Sequence, residues 1–247
     1  MKKTETIYNK NADFWSRNKP LSLSDFTARN YLFKYLGKLN NLKIADIGCG
    51  EGYCSREFIK FGAKHIIGVD SSKSMIQNAN KNVFKSQNET FIHADLKRNI
   101  PKEIFKCDII CAIFLFNYID NNNMQKIFNQ IALKKKKKTR FIFTLPHPIF
   151  PFIYKKKFPF SFTNNSKDYF DSSNKCFDGK IYRIDDVILP IKMYHRTFEK
   201  IFEIIRSAGF NRIIHFKELG VNKSLINKNK KFFGPLQGIP LHILIEV

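Results

Sequence analysis

Three acidic residues and a run of glycines carry the chemistry that can be read directly in this 247-residue chain. The segment Ile44-Ala45-Asp46-Ile47-Gly48-Cys49-Gly50-Glu51-Gly52 ends an apolar run in an acid and then sets glycine at every second position. Glycine adopts backbone conformations closed to other residues and lets another molecule's atoms come close to the main chain. A helix starting near Tyr53 would turn its unpaired N–H groups toward an anionic or polar part of a ligand. A second strand-like run, His65-Ile66-Ile67-Gly68-Val69-Asp70, ends in an acid about 20 residues beyond Gly48. At that separation in a strand–helix–strand unit, a carboxylate can accept both hydroxyls of a ribose. Asp95 closes a third such run, Phe91-Ile92-His93-Ala94-Asp95-Leu96. A dinucleotide site would need a small residue at position 53, and this chain has Tyr53 there.

The motif is Asp-x-Gly-x-Gly-x-Gly, and it resembles motif I of the class I S-adenosylmethionine (SAM) methyltransferases. The resemblance covers residues 40–145 firmly and the remainder loosely. It implies an α/β fold: a Rossmann-like, doubly wound, seven-stranded sheet, mostly parallel with an antiparallel last strand. An N-terminal helical cover and an inserted lid would complete it. It also implies SAM as cofactor and S-adenosylhomocysteine (SAH) as product. In that family the loop corresponding to Asp46, Gly48, Cys49 and Gly50 holds the methionine part. Asp70, followed by Ser71, falls at the ribose. Asp95, between Ala94 and Leu96, falls where the adenine amino group is bonded, and Met75 lies beside the ring. Phe114, at the end of the fourth strand, borders the same ligand.

The elements that must position these groups follow from periodicity. Residues 1–40 read as a helical cover in which Ser22-Leu23-Ser24-Asp25 has capping-box spacing. Phe26, Leu32, Phe33 and Leu36 give that helix an apolar face, and Gly37 stops it. Tyr8 and Trp15 precede the helix and Arg29 lies on it. In related enzymes such a segment closes over SAM, so the aromatics would touch the ligand and Arg29 would pair with its carboxylate. Packing of the cover onto the core, with a solvated Arg29, is the alternative. Residues 41–145 form the SAM-binding core. Its helix after Asp70 is capped by Ser71 or Ser72, and the continuous apolar run Asp108 to Phe114 reads as a central strand buried on both faces. Residues 146–195 form an inserted acceptor lid whose aromatics, among them Phe150, Tyr154, Phe158, Phe160 and Phe177, suit an apolar or aromatic acceptor. Residues 196–247 supply a last helix and two strands, Ile213–Phe216 and Leu241–Val247, with 219–238 as a long loop.

A methyl carried on a sulfonium is already an electrophile, so the chain must orient an acceptor lone pair and exclude water. A neutral oxygen or weakly nucleophilic nitrogen also needs a base. His195 and His147 are the candidates, because both lie at boundaries facing the expected acceptor side; a histidine held by a backbone carbonyl is the competing role. Asn117, Tyr118 and Tyr194 could orient the acceptor. The stretch Phe114-Leu115-Phe116-Asn117-Tyr118 lacks the Asn/Asp-Pro-Pro-aromatic motif of enzymes that methylate exocyclic adenine or glutamine nitrogens. The expected reaction is therefore methylation of an O or N on a small, partly apolar or aromatic molecule. An RNA methyltransferase and a non-catalytic SAM-binding module are the rivals.

Composition bounds the rest. With 43% hydrophobic residues the chain can build a full core. The five cysteines are an odd number with no zinc-ligand spacing, so no metal is expected and a reducing cytoplasm is the simplest setting. The N-terminal residues lack an apolar signal core. The longest apolar run, Ile109 to Phe116, is too short to span a bilayer. The formal charge of +22 invites a nucleic-acid partner. Lysine and asparagine recur everywhere beside phenylalanine and isoleucine, however, as an AT-rich genome would encode, and no specific nucleic-acid site is expected.

Overall fold

The computed structural model describes residues 4–83, 88–153, 159–163 and 168–247. Helix α1 (Thr4–Trp15) comes first, followed by a π-helical turn (Asp25–Arg29) that runs directly into α2 (Asn30–Leu36). The core then alternates: β1 (Lys43–Ile47), α3 (Tyr53–Lys60), β2 (His65–Asp70), α4 (Lys73–Lys81), β3 (Glu89–His93), β4 (Ile109–Ile113), α5 (Asn121–Lys134) and β5 (Arg140–Pro146). A short helix α6 (Phe150–Ile153) leads into β6 (Phe160–Thr163), β7 (Cys176–Tyr182) and β8 (Ile188–Tyr194). After α7 (Phe198–Ser207) come β9 (His215–Leu219), α8 (Lys223–Lys228), α9 (Lys230–Phe233) and β10 (His242–Glu246).

Seven of these strands form one sheet in the order β3-β2-β1-β4-β5-β10-β9. β1 to β5 are mutually parallel, and β10 runs antiparallel to both of its neighbours. This is the doubly wound sheet that the resemblance implies. All five residues of β4 are buried, as a central parallel strand requires. One face packs on α5 and α7 through Phe116, Phe128, Phe141, Phe143 and Ile204. The other packs on α2 and α3 through Leu32, Phe58, Ile44 and Leu244. Among the described residues no helix is long and apolar enough to cross a membrane.

The structure decides two open points and corrects two expectations. The residues before the second helix are themselves a helix, α1. Ser72, not Ser71, caps α4, accepting from the Met75 N–H at 3.2 Å. The penultimate strand lies at 215–219 instead of 213–216, and β10 sits inside the sheet, so β9 is the edge. Residues 219–238 are not a plain loop. Asn222 and Asn229 each cap a short helix, accepting from Leu225 and Phe232 N–H at 2.9 Å, and Phe232, Phe233 and Leu236 are buried.

The inserted segment has its own antiparallel sheet, β6-β7-β8. Phe150, Phe160, Phe162, Phe177, Ile191 and Met193 form a third core that also takes in Leu23, Phe26, Phe233 and Leu241. Much of the aromatic content of this segment therefore holds it to the body of the molecule. Tyr154 and Phe158 lie outside the described residues.

Candidate active site

The glycine loop between β1 and α3 builds the floor of the site. Gly48, Gly50 and Gly52 all have positive φ, at 76°, 55° and 82°. At Gly48 a Cβ would meet Leu115 Cδ1 at 2.9 Å, whereas at Gly50 it would meet nothing within 4 Å. Gly48 thus permits close packing beneath the loop, and Gly50 leaves room beside it. The loop is tied to β2: Gly50 N–H donates to Asp70 Oδ2 at 2.9 Å and Ser72 N–H to Oδ1 at 2.8 Å. Each Asp70 oxygen keeps a lone pair for a ligand hydroxyl. Burial raises the Asp70 carboxyl above the usual range, and the backbone donors at Ser72, Gly50 and Ser71 pull it back. Asp46, one strand away, is almost wholly buried, accepts from Ser55 Oγ at 2.7 Å and is pushed up by burial to about 6.

A cavity of about 560 Å³ opens above this floor. Asp46, Gly48, Cys49, Gly50, Asp70, Ser71, Met75, Ala94, Asp95, Leu96 and Phe114 all line it, as do Tyr8, Trp15 and Arg29 from the N-terminal cover. All fourteen residues expected at SAM are therefore brought to one cavity. Phe114 has a φ of 58°, a costly conformation for an aromatic residue, and it lies at the end of β4 where the cavity begins. Its ring is covered by the Arg29 guanidinium at 4.9 Å. Arg29 bonds Asp25 Oδ1 at 3.1 Å, while its Nε is buried without a partner among the described residues, as is Trp15 Nε1. The donor set fits SAM: carboxylates at Asp70 and Asp95 for the ribose and the adenine amino group, and unspent N–H donors opposite for the carboxylate.

The acceptor-side expectations divide. Tyr118 and Tyr194 line the cavity, and Asn117 lines a smaller chamber beside it. Neither candidate base reaches either space. His195 is fully buried, donates from Nε2 to the Tyr169 carbonyl at 2.8 Å, and packs against Phe152 and Tyr169 with ring centroids at 4.9 Å. His147 donates from Nε2 to Glu218 Oε1 at 2.7 Å and accepts from Ile149 N–H through Nδ1 at 3.2 Å. Burial pulls both imidazoles below their usual range. His195 Nε2 and both His147 nitrogens are taken up by neighbouring chain segments, while His195 Nδ1 is buried without a partner among the described residues.

Several lining residues escaped the sequence reading. Arg17 grips Asp25 through two bonds of 3.0 and 2.9 Å, reaches Glu51 at 3.3 Å and stacks on Tyr53 at 4.2 Å. Cys176 and Lys192 reach the cavity from the lid sheet. Only the aromatic at position 53, where a small residue would suit a dinucleotide, signalled any of them.

Comparison with known proteins agrees with this geometry. Residues 44–136 match the family model described as a methyltransferase domain. An uncharacterized protein of Haemophilus influenzae is 29% identical over 139 residues, 54% of this chain and 53% of its own length. The malonyl-[acyl-carrier protein] O-methyltransferase of Halalkalibacterium halodurans is 38% identical over 80 residues, 31% of this chain and 30% of its own. The chain thus spans about half the length, or less, of these curated relatives. A SAM-dependent methyltransferase structure from Mesorhizobium loti superposes with a TM-score of 0.63 at 19% identity, over 88% of this chain and 95% of that one. At that identity the likeness speaks for the fold. The chain thus carries a methyltransferase domain over residues 44–136 and shares the fold of SAM-dependent methyltransferases, with a cavity lined by every residue expected at SAM.

Proposed function

We propose that this protein transfers the methyl group of SAM to an oxygen or nitrogen of a small, partly apolar molecule. The observation that carries the reading is one cavity with two kinds of wall. It is lined by the glycine loop, Asp70 and Asp95 and also by Phe114, Tyr118 and Tyr194. SAM supplies an electrophilic methyl on sulfur when bound. The chain's part is to bind, orient and exclude water. Asp70 receives the ribose hydroxyls, Asp95 the adenine amino group and Arg29 the carboxylate. Tyr8 and Trp15 cover the site, their rings 5.5 Å apart, and Tyr8 meets Tyr118 edge-on at 5.0 Å.

Calorimetry with SAH, followed by labelled methyl transfer into a metabolite extract, tests this reading. Asp70→Ala leaves two ligand hydroxyls short of an acceptor in a buried site, a loss of about 1–3 kcal/mol. SAH affinity is expected to fall about tenfold or more with the fold intact. Equal affinity in the variant would remove Asp70 from the ribose. Transfer to RNA with none to small metabolites would overturn the acceptor class.

A further inference from the structure

A second, smaller chamber of about 80 Å³ adjoins the main cavity, with Trp15, Arg29, Phe114 and Tyr118 shared between the two walls. Its lining is largely apolar, with Phe150, Phe160, Ile191 and Met193 supplied by the lid. Two polar side chains in that lining stand out. Asn117 is 4% exposed, and its Oδ1 is buried with no partner among the described residues. His242, the first residue of β10, is also 4% exposed and lies edge-on to the Phe114 ring at 5.1 Å.

Among the described residues the His242 side chain has one hydrogen-bond partner, Thr27, whose hydroxyl also reaches a carbonyl. Thr27 Oγ1 donates its only proton to the Leu23 carbonyl at 3.1 Å. With that proton on the carbonyl, the 2.8 Å bond between Thr27 Oγ1 and His242 Nδ1 runs from Nδ1–H to the hydroxyl oxygen. Nε2 is left as an unprotonated acceptor, without a hydrogen-bond partner among the described residues. Burial, with Arg29 and His147 adding to it and Asp25 opposing, holds this imidazole down to about 3. It is uncharged at neutral pH and too weak a base to deprotonate an alkylammonium. The residues lining the chamber thus include two acceptors without a partner among the described residues, Asn117 Oδ1 and, in this tautomer, His242 Nε2, beside the unpartnered donors Trp15 Nε1 and Arg29 Nε. Buried acceptors call for donors.

We propose that this chamber receives a neutral primary amine, whose two N–H groups are held by Asn117 Oδ1 and His242 Nε2. The inference rests on the methyltransferase reading and narrows its acceptor. An amine held by both hydrogens keeps its lone pair free for the methyl carbon, whereas a hydroxyl would leave one acceptor unpaired. In the reaction the amine lone pair forms the new N–C bond and the S–C pair stays with sulfur. The resulting secondary ammonium loses its extra proton to water on release. Thr27 acts as a positioning residue, fixing the side of the imidazole that carries the proton.

The probes are 2,2,2-trifluoroethylamine, which is largely neutral near pH 7.5, and 2,2,2-trifluoroethanol, with binding followed by fluorine NMR in the presence and absence of SAH. The amine is expected to bind at least about tenfold more tightly than the alcohol. That preference should vanish in His242→Phe and Asn117→Leu while SAH affinity stays within about twofold. Nitrogen NMR of the wild-type imidazole, which needs no variant to fold, should show protonated Nδ1 and unprotonated Nε2, with Nε2 shifting on addition of the amine. Equal or tighter binding of the alcohol, binding of neither probe, or a protonated Nε2 overturns the proposal. Failure of SAH to bind would instead strike the methyltransferase reading, because the probe preference is also read without it.

Discussion

At the scale of single residues, the acids of the site differ sharply in what burial does to them. Asp25 is held well below the usual carboxylate range by Arg17 and Arg29, which overcome its desolvation. For Asp46, whose side chain accepts from Ser55 Oγ, desolvation wins and raises it to about 6. The sign for Asp46 follows from linkage. A carboxyl raised on folding binds a proton in the folded state that the unfolded chain has already lost. Its relative stabilisation is present below the unfolded value and lost as pH rises through about 6. Above that pH the ligand-free protein carries a buried, poorly compensated charge. Asp46→Asn is therefore expected to gain stability relative to wild type, by about 2 kcal/mol more at pH 8 than at pH 4.5. Denaturant melts of the two proteins at both values measure it, and a pH-independent difference would show that Asp46 titrates normally.

At the scale of elements, polar clasps tie α1 and the segment after it to the walls of the cavity. From α1, Asn9 Oδ1 accepts from Ser72 Oγ at 2.6 Å and Asp13 Oδ1 from Asn78 Nδ2 at 3.0 Å. Arg17 then joins the cover to the glycine loop through Glu51, which Arg56 grips in turn at 2.6 Å. The π-helical turn presents Asp25 to Arg17, Thr27 to His242 and Arg29 to the cavity, a use consistent with π turns gathering at functional sites. Removing one partner of a buried ion pair leaves the other charge stranded. Arg17→Met is expected to cost about 3 kcal/mol, because Asp25 retains Arg29 and the Leu21 and Ser22 N–H donors. Hydrogen exchange should speed up first in α1, and SAH affinity should drop with it. Unchanged protection across α1 would show that other contacts hold the cover.

At the scale of the whole molecule, the charge of +22 is not directed at the cavity. Its cationic lining residues are paired: Arg17 and Arg29 with Asp25, Lys97 and Arg98 with Asp95 at 3.7 and 3.9 Å, and Lys192 with Asp178. A nucleic-acid site making six to ten phosphate contacts would need unpaired cations at the mouth and would lose about 10³–10⁵ in affinity between 50 and 200 mM salt. The expectation is weak, non-saturating RNA binding at low salt that vanishes at physiological salt, measured by fluorescence anisotropy. Tight binding to one structured RNA, with methylation of it, would reverse that view.

Local physics made the inner half of the site legible in the residues alone. Positive-φ glycines, a strand ending in an acid and a helix cap are each specified within a few neighbours. The loop at 48–52 and the acids Asp46, Asp70 and Asp95 could therefore be placed before any contact was known. Apolar runs marked the strands, and the family resemblance supplied the doubly wound sheet with its antiparallel last strand. An antiparallel last strand begins at the edge where the parallel strands end, and that reasoning, carried one step further, leads to His242. What the partners of polar side chains are, however, is decided across long separations. His242 Nδ1 finds Thr27, 215 positions away, and Arg17 finds Glu51 across 34. His195 and His147 were equally plausible by type and position, and only packing shows that a carbonyl and a carboxylate have claimed them. A side chain's chemistry depends on which of its atoms remain unpaired, and that depends on tertiary neighbours.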